Sequence, residues 1–261
     1  MRLLNFLYKL KTISLITIFS ILISSCGSRK DVVLFQNSEN AKEMKSSFES
    51  RFKCDDLLRI FVNTKDAEAS IGLNLPALSS VRERGANGLL DYQNYIVDNL
   101  GFIEYPTLGK IKVAGLTRTE LINYLKQQFK PYLKVDPIIT INILNFKIAV
   151  TGEVAKPGSF VIGSERISLP DAIALAGDLT IFGKRTNIIV LRDSNGVKTI
   201  NRVDITKTDF INSDFFYLTQ NDVVYVEPNK TRVNSSVVGP NTTVIISSLS
   251  LLITVVALLI K

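Results

Sequence analysis

The side chains of this 261-residue chain restrict the chemistry it can do. It contains no His and only two Cys, Cys26 and Cys54, so the commonest general base and the commonest metal ligand are missing. The sequence has no Ser or Cys nucleophile motif, no metal-ligand spacing and no phosphate-binding loop. Its acidic residues are dispersed, so a glycosidase with paired carboxylates is neither indicated nor excluded. We therefore expect no catalytic residue, no cofactor and no metal, in a protein that is not an enzyme.

Cys26 is the residue whose surroundings indicate a definite reaction. Three basic residues precede a short apolar stretch, residues 15–23, and two serines stand directly before Cys26. This order of charge, short apolar stretch and small residues is typical of a secretory leader. A Cys after two small residues also looks like the bacterial lipobox. The lipobox implies cleavage after residue 25, lipidation of the Cys26 thiol, and stable anchorage by two or three acyl chains.

The alternative is an uncleaved N-terminal anchor helix in which Cys26 is incidental. The apolar stretch is short for a membrane span, which favours the lipobox. Export from the cytoplasm follows, and the remaining Cys54 is left without a disulfide partner. We expect Cys54 to be a small buried apolar residue.

The charge of the chain indicates solubility more than a charged partner. The formal net charge is +7, and it falls to +4 once the leader, with three basic and no acidic residues, is removed. Lys and Arg are scattered among Asp and Glu, whereas nucleic-acid binders usually show a clustered basic face. We expect no nucleic acid as partner, while an acidic polymer is allowed but not indicated.

The first half of the chain predicts a tether and a mixed α and β unit. Residues 27–50 are polar with one apolar patch, 32–35, which predicts a tether that docks once. Alternating apolar residues from Leu58 to Val62 predict a half-buried strand, and residues 64–94 predict a long loop with little regular structure. Thr117 and Glu120 have the spacing of a capping box, which predicts the start of a helix that ends before Pro131.

A change of phase marks the middle of the chain. Ile139 and Ile141 share one face of a predicted strand over 136–152, whereas Phe146 and Ile148 share the other. A slip of one residue turns later side chains over, so we expect one long strand with a bulge or kink near Ile143-Leu144, and a domain boundary near there.

The second half predicts a small β-grasp-like α+β unit. Pro157-Gly158 predicts a turn with a positive φ at Gly158. A short helix is expected between the N-cap Ser168 and Gly177. Asn195-Gly196 predicts a hairpin, and residues 221–228 predict a closing strand.

The chain ends in an apolar run, residues 243–261, which predicts a transmembrane helix. About 18 residues at ~1.5 Å each give roughly 27 Å of helix, enough for a thin bilayer. Small polar residues share one narrow face, which can line a water-filled lumen or form a helix–helix seam. A plain inner-membrane anchor with Lys261 in the cytoplasm is the alternative. The candidates for lining a pore are Thr243, Ser247, Ser250 and Thr254.

The centre of the chain contains, in order, Tyr-x-Val-Asp at residues 95–98, Leu-Gly at 108–109, Gly-Leu-Thr at 115–117 and Glu-Leu at 120–121. In this combination the motifs resemble the polysaccharide export proteins, the outer-membrane lipoproteins of capsule and exopolysaccharide secretion. Two residue triplets depart from that pattern: Cys54-Asp55-Asp56 replaces Pro-Gly-Asp, and Ala176-Gly177-Asp178 replaces Ala-Gly-Gly. Residues 152–177 and the strand near 221–226 resemble the adjoining soluble-ligand-binding β-grasp module. The residues matching the export pattern are Tyr95, Val97, Asp98, Gly101, Pro106, Leu108, Gly109, Gly115, Leu116, Thr117, Glu120 and Leu121.

The resemblance implies an α+β protein with a polysaccharide export domain followed by one β-grasp domain. The expected segments are a lipoprotein signal peptide (1–25), a tether (26–50), the export domain (51–147), the β-grasp domain (148–230), a linker (231–242) and a C-terminal transmembrane helix (243–261).

The resemblance also implies a function, an outer-membrane channel component that works as a ring-shaped homo-oligomer. Its expected partners are the polysaccharide polymer, an inner-membrane copolymerase or chain-length regulator, further copies of itself and membrane lipid. Its domains would lie in the periplasm, with Cys26 lipid-anchored in the outer membrane. A membrane-anchored ligand-binding or scaffold lipoprotein without a pore is the alternative, and no sugar-binding residue can be named.

Overall fold

The computed structural model describes residues 29–37, 48–65, 67–74, 92–194, 196–237 and 241–259. These residues form a mixed α and β structure with two hydrophobic cores. One core belongs to the unit before residue 144, and the other to the unit after it. The half-buried Ile143 packs against both cores, so the two units meet at this residue.

Strand β1 is the centre of the first unit. It lies between two antiparallel neighbours, and its residues Leu58, Ile60 and Val62 are at most 2% exposed, which confirms the predicted half-buried strand. A separate hairpin packs into the same core. The strands of this unit are β1 (Leu57–Asn63), β2 (Asn94–Ile96), β3 (Phe102–Tyr105), β4 (Gly109–Lys112) and β5 (Ile138–Ile143).

Two helices complete the first unit. Helix α1 (Ala67–Leu73) lies within the region predicted to be a loop, so that prediction is wrong for these residues. Asn74 fixes the end of α1, because its side chain accepts from the N–H of Val62 at 2.8 Å and donates to the carbonyl oxygen of Val62 at 2.6 Å. Helix α2 (Arg118–Phe129) begins with the predicted capping box and ends two residues before Pro131.

The turn before β1 has a left-handed residue where the resemblance places glycine. Asp55 has φ of 68° in the turn that leads into the strand, and Asp178 has φ of 71° directly after Gly177. At both departures from the family pattern, a residue with a side chain therefore holds a left-handed conformation that glycine adopts readily. A short polar side chain tolerates that conformation at some cost in stability.

The prediction of one long strand over 136–152 with a bulge or kink is wrong. Strand β5 pairs with β1 in unbroken register and stops at Ile143, and β6 (Lys147–Gly152) begins a different sheet. The change of phase arises because the chain leaves one sheet and enters another over residues 144–146.

The second unit is built on a five-stranded sheet in the order β10-β9-β12-β6-β7. Its first and last strands, β6 and β12, are parallel neighbours near the centre, and helix α3 contributes to the core. This is the arrangement of a β-grasp unit. The further elements are β7 (Gly158–Val161), β8 (Ile167–Ser168), α3 (Leu169–Leu175), β9 (Gly183–Ser194), β10 (Val197–Val203), β11 (Tyr217–Leu218) and β12 (Val223–Pro228).

The local predictions for the second unit are confirmed except at one glycine. Ser168 caps α3, Gly177 has φ of 74°, and the β9–β10 hairpin turns at Gly196 with φ of 81°. Gly158 has no positive φ, contrary to the prediction. The left-handed residue is Gly152, where an added Cβ would lie 2.1 Å from the carbonyl oxygen of Val226.

The predicted docking patch of the tether contacts the second unit. Leu34 packs against its core. The N–H of Gln36 donates to the carbonyl oxygen of Thr206 at 2.7 Å, and its own carbonyl oxygen accepts from the hydroxyl of Thr208 at 2.6 Å. The rings of Phe35 and Phe210 lie 5.6 Å apart. The tether therefore docks on the unit that follows the first unit in sequence.

The chain continues after β12 into helices α4 (Lys230–Val237) and α5 (Asn241–Leu259). The helix predicted for the C-terminal run is thus present, but the transmembrane helix expected over 243–261 is not found. Of the helices in the described ranges, none is long and apolar enough to cross a membrane. The apolar side chains of α5 that are at least 46% exposed are Val244, Ile246, Leu249, Leu251, Leu252, Ile253, Val255 and Leu258.

Candidate functional site

A cleft of about 850 Å³ lies between the two units. Its described lining comes from four separate stretches of chain: residues 48–52 before β1, 117–119 at the start of α2, 142–146 at the crossing between the sheets, and 161–166 after β7. The first and second stretches are held together, since the N–H of Phe52 donates to the carbonyl oxygen of Leu116 at 2.9 Å.

The floor of the cleft is apolar. Phe52 and Phe146 are each 4% exposed and belong to the first and second core, respectively. Ile143 and Ile162 complete this surface. Because both cores contribute, the floor keeps its shape only while the two units hold their relative position.

One wall of the cleft is charged and aromatic. Arg118 at the start of α2 forms an ion pair with Glu165, which joins the first unit to the second. The guanidinium of Arg166 lies 4.9 Å from the ring centre of Tyr217, and the ring of Phe48 stacks on Tyr217 at 5.1 Å. Stacking of this kind fixes the planes of the rings and of the guanidinium.

The rim of the cleft offers both hydrogen-bond donors and hydrogen-bond acceptors, and it carries no net formal charge. The charged residues that line it are two arginines and two glutamates, so their formal charges cancel. Hydroxyl and amide side chains, which both donate and accept, stand between them. The polar and charged lining residues are Glu49, Ser50, Thr117, Arg118, Thr119, Asn142, Ser164, Glu165 and Arg166.

A network of polar side chains ties the two units together. Lys53 Nζ donates to Thr219 Oγ1 at 2.8 Å and to the carbonyl oxygen of Asp193 at 3.1 Å. Thr219 in turn contacts Asp222, which is fully buried and accepts from Arg192 Nη2 at 2.7 Å. Burial lowers the pKa of Lys53, and the nearby Asp222 carboxylate partly opposes this effect.

The crossing between the sheets is fixed by two amide side chains. Asn145 Oδ1 accepts from the N–H of Leu57 at 2.9 Å, and Asn145 Nδ2 donates to the carbonyl oxygen of Asp55 at 2.8 Å. Gln220 Nε2 donates to the carbonyl oxygen of Asn145 at 2.7 Å, and Gln220 Oε1 accepts from the N–H of Lys147 at 2.8 Å. The crossing is therefore hydrogen-bonded to both units.

Asp56 is a buried carboxyl group in the turn that holds Lys53. It is 1% exposed, and its Oδ2 accepts from the N–H of Lys53 at 2.8 Å. Its Oδ1 has no hydrogen-bond partner within the described part of the chain. Burial raises the pKa of Asp56 to about 6, because the charged form is poorly solvated there.

Where the structure describes them, the residues predicted from the sequence to be lipidated, pore-lining or buried as a lone Cys do not line the cleft. Cys26 lies outside the described residues. Thr243, Ser247, Ser250 and Thr254 all lie on helix α5, and Thr254 Oγ1 donates to the carbonyl oxygen of Ser250 at 2.8 Å. Cys54 is an exposed free thiol, so the prediction that it is buried is wrong. Within the described ranges, no group of three or more His, Cys, Asp or Glu side chains could hold a metal ion.

Two signals in the sequence point to the place where the cleft forms. The capping box positions Thr117 at the start of α2, and the change of phase near Ile143 marks the crossing between the units. Neither signal shows that the two places are adjacent in space. The cleft could therefore not be identified from the sequence.

Comparison with known families places two matches along the chain. Residues 45–144 match the family described as "Polysaccharide biosynthesis/export protein". Residues 146–226 match the SLBB domain. The boundary between the matches falls at the crossing between β5 and β6.

Two curated proteins are similar to this chain. The EPS I polysaccharide export outer membrane protein EpsA of Ralstonia solanacearum is 30% identical over 162 residues, which cover 59% of this chain and 42% of that protein. The protein of the same description from Ralstonia nicotianae is 29% identical over 162 residues, with the same shares covered. The similarity thus spans less than half the length of these relatives.

Proposed function

Because the chain belongs to the polysaccharide biosynthesis/export family, we propose that it is an outer-membrane component through which capsular or extracellular polysaccharide leaves the cell. The observation that supports this most directly is the succession of the export match and the SLBB match, which together extend over residues 45–226. The names of the relatives, which describe polysaccharide export outer membrane proteins, agree with it.

In the proposed function, several copies of the chain assemble into a ring. Lys53 donates across to the second unit, and Asn145 accepts hydrogen bonds from Leu57 and Gln220 in the two units, so each copy can serve as a rigid building block. A ring of such copies would enclose a lumen for the polymer. An inner-membrane copolymerase or chain-length regulator would deliver the polymer to the periplasmic side.

The two ends of the chain are the proposed contacts with the membrane. Cys26 would carry the lipid anchor after cleavage of the leader. Helix α5 exposes a row of apolar side chains that a ring of copies could bring to the lipid together. Its Ser247, Ser250 and Thr254 share one face and are the proposed lining of the lumen, with Thr243 at the beginning of that face.

The test of the proposed function is secretion of the polymer. In a producing strain that lacks the gene, we expect surface polysaccharide to be lost and polymer to accumulate in the periplasm, with rescue by the full chain. Normal secretion in the deletion strain would contradict the proposal. Loss of surface polymer without periplasmic accumulation would point to a scaffold or regulatory role instead.

The anchor is tested separately by Cys26→Ser. We expect loss of acyl labelling and an unprocessed precursor that migrates more slowly, whereas Cys54→Ser, the matched control, should be labelled and processed as the wild type is. Normal processing of Cys26→Ser would disprove the lipobox interpretation without bearing on export.

A further inference from the structure

The size and lining of the cleft between the two units indicate a ligand with two kinds of surface. Its volume of about 850 Å³ falls within the roughly 300–1,000 Å³ of small-molecule sites. The floor, with Phe52 and Phe146, requires apolar groups, while the rim requires hydrogen-bonding groups. A ligand that fills the cleft must therefore present an apolar face and a polar edge at the same time.

The charges of the lining favour some classes of ligand over others. Because the two arginines and two glutamates cancel, the lining offers no net attraction to a highly charged chain of either sign, such as a nucleic acid. A purely apolar ligand would remove these groups from water without giving them partners, which is costly. The remaining class is an uncharged or weakly charged ligand with many hydroxyl groups.

Two charged side chains on the rim are available for such a ligand. Arg118 is already paired with Glu165. Among the described residues, Arg166 makes a stacking contact with Tyr217, and neither Arg166 nor Glu49 takes part in an ion pair. A guanidinium only donates hydrogen bonds and a carboxylate only accepts them. A hydroxyl does both, so each of the two side chains can bind one.

We propose that this cleft binds a short segment of the exported polysaccharide, an inference that rests on the proposed function. A sugar ring has C–H groups on its faces, which suit the floor at Phe52 and Phe146. The hydroxyls on its edge suit Arg166, Glu49 and the neighbouring Asn142. The cleft requires both units, so the bound segment would contact the export domain and the SLBB domain together.

The sharpest test blocks the cleft at Gly163. This residue lines the cleft, has no positive φ, and a Cβ added to it meets nothing within 4 Å, so Gly163→Phe should fold and occupy the space. The probe is the secreted polymer of the producing strain, cut to short oligosaccharides and titrated by calorimetry against the full chain in detergent. We expect Gly163→Phe to weaken binding at least about tenfold. Gly72→Phe, another open glycine position outside the lining, should bind as the wild type does.

A second pair of variants removes the polar contacts without adding bulk. Arg166→Ala and Glu49→Ala should each weaken binding by about tenfold, because a hydrogen bond to a charged group is lost. Arg202→Ala, which breaks an exposed ion pair with Glu227 away from the lining, is the matched control. If circular dichroism shows that Gly163→Phe is misfolded, Arg166→Ala and Glu49→Ala are used to test the proposal instead.

The outcomes separate this inference from the proposed function. If the wild type does not bind the oligosaccharides, or if Gly163→Phe and Arg166→Ala bind them as well as the wild type does, the cleft is not the site. Secretion that depends on the gene would still support the export function in that case. Normal secretion without the gene would remove the export function whatever the titrations give.

Discussion

Lys53 Nζ lies 2.8 Å from Thr219 Oγ1, although the two residues are 166 positions apart and belong to different units. The same ammonium group donates to the carbonyl oxygen of Asp193. Lys53 is the next residue in the chain after Phe52, which lies on the floor of the cleft. Thr219 contacts the buried Asp222. One side chain of the first unit is therefore part of the polar network of the second.

Lys53→Met should weaken the connection between the units. The variant keeps the apolar stem and loses the ammonium group. Because burial of the ammonium group offsets part of the energy of its hydrogen bonds, we expect the free energy of unfolding to fall by about 1 kcal/mol. A double-mutant cycle with Thr219→Val, measured by thermal unfolding, should give a coupling energy above about 0.5 kcal/mol. The exposed Lys198→Met is the control, and zero coupling would mean that the contact contributes nothing.

Arg192→Met should be the most destabilising of these changes. Asp222 is 0% exposed, and Arg192 donates to both of its carboxylate oxygens. Removing the guanidinium leaves a buried carboxylate without its counter-charge, which costs about 3–5 kcal/mol.

Urea unfolding measures this loss. Adding Asp222→Asn to Arg192→Met should restore part of the stability, since a buried amide costs less than a buried charge. Arg202→Met, in an exposed pair whose arginine is 58% exposed, should change the stability by less than about 1 kcal/mol. Equal losses for Arg192→Met and Arg202→Met would refute the argument.

Asp56→Asn should change how stability depends on pH. Burial raises the pKa of Asp56 to about 6 in the folded state, above its ordinary value of 3.8. The folded state therefore binds the proton more tightly, and the stability that this group contributes is present below about pH 4 and lost as the pH rises to about 6.

The comparison of Asp56→Asn with the wild type isolates this effect. The two proteins should have similar stability near pH 4, and the variant should be more stable above pH 6 by on the order of 2–3 kcal/mol. Parallel stability curves for Asp56→Asn and the wild type between pH 4 and pH 7 would rule the effect out.

Asp55→Gly should stabilise the protein. Asp55 has φ of 68°, a conformation that costs an L-residue free energy and that glycine adopts readily. We expect a gain of about 0.5–1 kcal/mol in chemical denaturation. Asp214→Gly, at an exposed position without a positive φ, should instead lose stability, because it only adds freedom to the unfolded chain. The same sign for both variants would contradict the explanation.

Single cysteines on α5 test which face of the helix meets water. In a Cys54→Ser background, a water-soluble thiol reagent should modify cysteines at Ser247 and Ser250 in intact assemblies and spare those at Leu249 and Leu252. The expectation follows from the proposed lining of a lumen by the polar face. Equal protection would indicate a dry helix–helix seam, and equal labelling would place the whole helix in water.

Local signals predicted most of the elements, because each depends on residues near one another in the chain. The capping box of Thr117 and Glu120 and the hairpin at Gly196 are examples. The change of phase near Ile143 was detected but misinterpreted, since a bulge and a crossing between two sheets produce the same pattern. The sequence predicts a positive φ at Gly158, whereas the structure has it at Gly152. Gly152 is needed because Val226 approaches it closely, and Val226 is distant in the sequence.

The candidate site could not be predicted from the sequence, because its residues are distant from one another in the chain. Its residues come from four stretches that only the docking of the two units brings together. Lys53 and Arg192 are ordinary basic residues in the sequence, and nothing near them indicates that they contact Thr219 and Asp222. Cys54 is likewise exposed beside a turn in which Asp55 has φ of 68°, a conformation that its residue type does not indicate.

The docked segment around Gln36 determines how mechanical tension passes through the chain. A pull on the N-terminal side is borne first by the second unit, through hydrogen bonds to Ile205, Thr206 and Thr208. A pull on the C-terminal side also reaches the second unit first, because helix α4 follows β12 directly. The force therefore passes from one end to the other through the second unit alone, and the first unit, whose residues lie between the two attachment points, is shielded from load until the segment detaches.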